Sequence, residues 1–120
     1  MPKTEHKNAL NCVYLFTCCC GLRYIGECEN LRNRCIDHQQ PSKSTAIHSH
    51  TAVCEQFKSK FDNFSRIDNF ENRFAFLREK FQVLHSNLEY RTRIQFEALE
   101  IRLRGPQLNK QVKHKSLQII

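Results

Sequence analysis

Apolar and polar positions divide the chain into stretches of different period. Val13-Tyr14-Leu15-Phe16 and Leu22-Arg23-Tyr24-Ile25 are runs of β-branched and aromatic residues on either side of Cys20-Gly21, the pattern of a β-hairpin. Gly26 follows, and its missing Cβ lets the backbone turn close to another group. From Asn30, a suitable N-cap, Leu31, Arg34, Cys35 and His38 recur at helical spacing, so Arg34 and His38 share a face. Pro41-Ser-Lys-Ser marks a loop, and Ala46 to Phe57 reads as a second helix.

Between Phe57 and Phe81 lie Phe57, Phe61, Phe64, Phe70, Phe74, Phe76 and Phe81, set among polar and charged residues. Such interleaving suits a stacking surface for single-stranded bases. Phe57 and Phe61, four apart, equally suit the buried face of a helix, and core filling is the reading preferred here. Phe81 to His85 predicts a third strand beside the hairpin. Ser86-Asn-Leu-Glu89 has the form of a capping box, with Ser86 as N-cap of a helix from Asn87 to Arg104 that Gly105-Pro106 ends.

On that last helix Tyr90, Ile94, Glu97 and Ile101 fall on one inward stripe, whereas Glu100 shares a face with Arg93 and Arg104. Glu97 is thereby singled out. A carboxylate on an apolar stripe is costly to desolvate, and a metal ion or an arginine such as Arg34 is the usual compensation. Glu100 reads as part of a solvated surface pair.

These elements predict an α/β domain with a small three-stranded sheet, mixed or antiparallel, flanked by helices. Residues 1–10 read as an N-terminal tail, 11–110 as the domain, and 111–120 as a basic C-terminal tail. At 120 residues one domain is expected. The net charge of +7 favours a polyanionic partner, nucleic acid or an anionic surface. No run of about 18 apolar residues is present, which excludes a transmembrane helix. The amino end lacks the apolar core of a signal peptide, so the expected location is intracellular, and nuclear for a protein acting on chromosomal DNA.

Seven cysteines, an odd number, argue against a complete disulfide framework and for metal binding or free thiols. Cys18, Cys19 and Cys20 sit in the hairpin turn, and His50 and Cys54 form a His-x3-Cys pair. Thiolate and imidazole suit zinc, and four such ligands close its coordination sphere, which makes a site structural. Cys18 and Cys20 are the preferred pair, since Cys-x-Cys lets both sulfurs face one ion, with Cys19 as the alternative to Cys18. His48 is the alternative to His50. The competing reading is of ordinary buried thiols, which is the one taken for Cys12, Cys28 and Cys35.

The ordered set C-V-Y from Cys12, Y-I-G from Tyr24, L-R-N-R-C-I-D-H from Leu31, and E-A-L-E-I from Glu97 resembles the GIY-YIG endonuclease signature. The cysteines before Tyr24 and S-T-A-I-H-S-H from Ser44 are similar to the zinc-containing form carried by Penelope-like retroelements. The resemblance runs from about Cys12 to Asn109. It aligns Cys20 with the family's second zinc cysteine and His50 with a zinc histidine, and Cys54 stands where a second histidine is usual. It departs from the motif at Cys12, in place of the first glycine, and at Cys28.

The resemblance implies a metal-dependent DNA endonuclease acting in retroelement insertion. Arg34 takes the place of the catalytic arginine, and Glu97 that of the ligand to Mg2+ or Mn2+. Tyr14 is the family's usual candidate for activating water, with Tyr24 beside it and His38 placed to orient or relay. Asn109, in a P-x-L-N segment from Pro106, joins Gly26 as support of the site. The partner implied is DNA, with a reverse transcriptase fused or acting alongside, and no membrane. Two alternatives stand beside it: a nucleic-acid-binding module without catalysis, and a small zinc-stabilised interaction domain.

Overall fold

A computed structural model describes residues 9–38, 45–65 and 76–111, with the side chains of residues 61–65, 110 and 111 left aside. The tails before Ala9 and after Gln111, the Pro41 loop, and Phe70 and Phe74 lie outside the described residues.

Among the described residues the sheet has three strands in the order β2-β1-β3, all antiparallel. β1 spans Leu10–Thr17, β2 Arg23–Asn30 and β3 Phe81–His85. β1 is central, and this explains why its sequence does not alternate: every residue from Cys12 to Phe16 is buried. Cys12, Tyr14 and Phe16 face one core with Leu31, Cys35, Ile47, Phe57 and Leu108. Val13 and Leu15 face a second with Ile25 and Ile101. A strand covered on both sides reads as a continuous apolar run.

The hairpin turn closes through Gly21 N–H to the Cys18 carbonyl at 2.9 Å, with Gly21 at φ 95°, where a side chain would be strained. β2 is longer than its apolar run suggests. It continues through Gly26, Glu27 and Cys28 to Asn30, so Gly26 lies within a strand and not at a turn. Its missing Cβ serves a close approach of a different kind. A methyl there would stand 2.5 Å from the Tyr14 hydroxyl oxygen and 2.7 Å from Cζ of the same ring.

Helix α1 spans Leu31–Asp37, with the Asn30 side chain accepting from Asn33 N–H. The single helix expected over Ala46–Phe57 is two. α2 covers Ala46–Thr51 and α3 covers Glu55–Ser65, with a break at Ala52, Val53 and Cys54 that turns Cys54 back toward His50. Phe57, Phe76 and Phe81 are buried, as core filling requires.

The last helix, α4, spans Tyr90–Arg104 and ends on left-handed Gly105. Its start corrects the capping-box reading. The N-cap is Glu89, without a side-chain cap, and Ser86 stands outside the helix. Asn87 adopts φ 58°, while the N–H groups of Asn87 and Leu88 bond to the carbonyls of Leu10 and Asn11. Those long-range bonds to the start of β1 take the segment that the local motif would have wound into a first turn. A 3-10 helix, Gln107–Gln111, closes the described chain.

Candidate functional site

Two groups of chemistry-bearing side chains assemble, one at the hairpin turn and one along the edge of the sheet. At the turn end, Cys18 and Cys20 meet His50 and Cys54, and the four ligand atoms lie within 4.8 Å of one another. Cys18 Sγ is 3.8 Å from Cys54 Sγ, and Cys20 Sγ is 3.3 Å from His50 Nε2. These separations match the edges of a zinc tetrahedron: with Zn–S about 2.3 Å, an S···S edge is about 3.8 Å and an S···N edge is a little shorter. The donor set thus forms a candidate metal site whose chemistry fits structural zinc. Cys19 and His48 are not members of it. Burial holds the Cys18 thiol up to about 12, a cost that a bound cation would offset by stabilising the thiolate.

Along the strands, side chains from four elements converge where β2 forms the edge of the sheet. Tyr14 on β1 is 1% exposed, and its hydroxyl lies 3.0 Å from His38 Nε2, just past the end of α1. His38 Nδ1 is 2.8 Å from the Thr45 hydroxyl, which also accepts the His48 N–H as N-cap of α2. Burial, then the charges of Arg34 and His48, lower the His38 pKa to about 3. The imidazole is therefore neutral at physiological pH. It bridges Tyr14 to Thr45 through hydrogen bonds and does not store a proton.

Tyr24 on β2 packs its ring 6.4 Å from that of Tyr14 and 6.5 Å from that of His38, centroid to centroid. Both phenols are pushed upward. For Tyr14 the causes are burial and then Tyr24; for Tyr24 they are burial and then the Glu97 carboxylate. Arg34 opposes both shifts without reversing either. Of the two, Tyr24 is partly buried, whereas Tyr14 is almost wholly so.

Glu97 on α4 is 2% exposed. Burial, then the nearby Glu27, raise its pKa to about 8, again with Arg34 as the opposing charge. Arg34 thus acts electrostatically on Tyr14, Tyr24 and Glu97 together. Asn109 in the 3-10 helix accepts from Ile25 N–H at 2.7 Å and donates to the Ile25 carbonyl at 2.8 Å, which fixes β2 between Tyr24 and Gly26.

The spacing that puts Tyr90 on the inward stripe and Arg93 with Glu100 on the other face is reversed at these two residues. Arg93 is 4% exposed and Tyr90 is 66% exposed. The buried stripe of α4 is Arg93, Glu97 and Ile101, and Arg93 donates to Glu27 and to Asn11. Spacing alone admits this stripe, since the three fall at i, i+4 and i+8; the charge on Arg93 concealed it. Glu27 and Thr45 carried no recognisable signal. Glu100 does pair with Arg104, as expected of its face, but also with His85 at 2.7 Å.

Arg34, Arg93 and Tyr90 line a polar cleft of about 330 Å³ beside the site. No protein-family model, curated protein or solved structure matches the chain.

Proposed function

We propose that the chain is a divalent-metal-dependent DNA endonuclease of the GIY-YIG kind, with zinc in the Cys18-Cys20-His50-Cys54 site holding its hairpin in place. The observation that carries this reading is the convergence of Tyr14, Tyr24, Arg34, His38 and Glu97 around the β2 edge, from β1, β2, α1 and α4.

Arg34 supplies forked, permanently charged donors to the non-bridging phosphate oxygens, where negative charge grows as the phosphodiester is attacked. Glu97 would hold Mg2+ or Mn2+. A hard cation suits a carboxylate, and a carboxyl held at about 8 by burial and Glu27 is a group that a bound cation would ionise. When bound, such an ion supplies Lewis-acid stabilisation of the leaving oxygen.

Tyr24, partly open to solvent, is the better placed tyrosine to orient the attacking water. Tyr14, locked to neutral His38, positions Tyr24 through ring contact. Gly26 keeps the space that the Tyr14 ring occupies. The positive charge of the chain and the insertion role implied for such domains in Penelope-like retroelements make DNA in the nucleus the substrate, alongside a reverse transcriptase.

The test is nicking of supercoiled plasmid with and without added magnesium, leaving the zinc site loaded. Wild type should nick only with magnesium. Arg34→Ala, which removes a transition-state donor, should lose about 100-fold or more in rate, and Glu97→Gln, which removes the metal-holding carboxylate, should lose magnesium-dependent nicking. Variants that cut like wild type would refute the assignment. A folded wild type that binds DNA but never cuts would make the chain a binding module.

A further inference from the structure

We infer that the cleft beside Arg34 seats one unpaired nucleobase of the substrate, stacked on Tyr90. This rests on the nuclease reading and adds to it a preference for DNA with an unstacked nucleotide. Tyr90 is the sole aromatic among the described residues with a largely exposed large hydrophobic side chain, and it lines the same cleft as Arg34. The chain's other two tyrosines are turned into the site itself.

The Tyr90 ring is also backed. The Arg93 guanidinium lies 5.4 Å from its centroid, and Arg93 is in turn tied to Glu27 at 2.6 Å and Asn11 at 2.9 Å. A ring supported this way is a prepared platform, and every base has a π-face to offer it. Asn33, Glu29 and Asp37 line the cleft as well. Their amide and carboxylates can accept from the amino groups of bases. At about 330 Å³ the space lies at the small end of ligand sites, enough for one nucleotide and too little for a stacked pair.

The probe is a fluorescently labelled single-stranded oligodeoxynucleotide, compared with its fully paired duplex by anisotropy. The protein is the full chain carrying Glu97→Gln, without magnesium, so that nothing is cut. Tyr90→Leu should weaken the single strand by about 5- to 150-fold, the range for one lost base stack, and leave the duplex unchanged. Tyr90→Phe should bind both as the parent does. Equal binding by Tyr90→Leu, or equal loss for both DNA forms, overturns the subsite. Plasmid nicking by the wild-type chain, with Tyr90 and Glu97 both intact, separates the two ideas. A protein that cuts nothing yet shows the single-strand loss keeps the subsite and forfeits hydrolysis. One that cuts normally without that loss does the opposite.

A different observation carries a second proposal. Cys12 and Cys28 stand directly opposite each other on β1 and β2, with Sγ atoms 3.6 Å apart. Directly opposed residues of antiparallel strands have Cα atoms about 4.5–5.5 Å apart, within the range that a disulfide bridges. Cys28 lines the cleft with Arg34 and is the member of the pair nearer solvent, 2% exposed against 0% for Cys12. We propose that this pair is a peroxide-oxidisable dithiol. One thiolate attacks hydrogen peroxide to give a sulfenic acid and water. The second thiol then displaces a further water as the S–S bond forms, so two thiols are oxidised and one peroxide is reduced.

Peroxide treatment of the metal-loaded protein, followed by non-reducing peptide mapping, should yield a linked Cys12–Cys28 peptide that dithiothreitol removes and Cys28→Ser lacks. Cys12→Ser should instead leave a dimedone-reactive sulfenic acid on Cys28, the thiol that lines the cleft. Absence of both products, or a Cys12 peptide linked elsewhere, overturns the proposal.

Discussion

Arg93 donates through Nε to Glu27 at 2.6 Å, joining the buried stripe of α4 to the edge strand, with the two side chains 5% and 24% exposed. Removing one partner of a buried pair leaves the other charge desolvated, which costs about 3–5 kcal/mol in full burial. Because Glu27 keeps some solvent, Arg93→Met should destabilise the protein by about 2–4 kcal/mol in urea titration. Adding Glu27→Gln to that variant should recover part of the loss, since the orphaned carboxylate is then gone. A cost for the double variant equal to or above that of Arg93→Met would show that the pair matters through packing alone.

Gly26→Ala should be among the most damaging single-methyl changes in the chain. The added Cβ would meet the Tyr14 hydroxyl oxygen at 2.5 Å, its Cζ at 2.7 Å and the Tyr24 ring at 3.0 Å, and the rigid rings cannot bend away. Overpacking of this kind costs about 1–3 kcal/mol. The Tyr14 hydroxyl should also part from His38, so nicking activity should fall further than stability explains. Thermal melts and plasmid assays on the same preparation would separate the two effects.

Glu97 makes stability depend on pH in a direction opposite to that of a salt-bridged carboxylate. Its folded pKa is raised from 4.5 to about 8, so between those values the folded protein retains a proton that the unfolded chain has lost. Stability conferred by the neutral acid is complete at the acid end of that window and declines as pH rises through it. At about 1.4 kcal/mol per pH unit across that window, the loss is on the order of 5 kcal/mol. Glu97→Gln should flatten this slope in magnesium-free buffer, as followed by urea midpoints across the window. Added magnesium should flatten it in the wild type as well, by binding the ionised form.

The four-ligand cluster predicts a single tightly held zinc ion per chain. Its replacement by cobalt should give the intense visible absorption of a tetrahedral thiolate site. Cys18→Ser or His50→Ala should abolish stoichiometric binding, whereas Cys19→Ser and His48→Ala should not. Metal removal should lower the melting temperature markedly, because an ion held by these four ligands would tie the β1–β2 turn to α2 and to the break that follows it. Metal analysis and calorimetry on these variants would check both halves of the expectation.

The hairpin, the third strand and the zinc-type cluster were legible because each rests on local pattern: paired apolar runs, a Gly turn, and cysteines and histidine at ligand spacing. Asn30 as N-cap and Gly105 as terminator were legible for the same reason. What escaped depends on contacts between distant segments. Ser86 lost its capping role to backbone bonds with Leu10 and Asn11. Arg93 could be recognised as buried only once Glu27 and Asn11 were known to await it. Neither partner lies within sixty residues of it along the chain.

Asn109 has a further consequence for how the molecule behaves among its own copies. β2 is an outermost strand, and at Ile25 its outward N–H and C=O are both taken by one side chain. Gln107 takes the Arg23 N–H in the same way. These amides imitate a neighbouring strand where a real one could otherwise dock, and so remove a template for edge-to-edge aggregation. Asn109→Ala should therefore do more than loosen the site. It should uncover a sticky border, seen in sedimentation velocity as concentration-dependent self-association beyond that of the wild type.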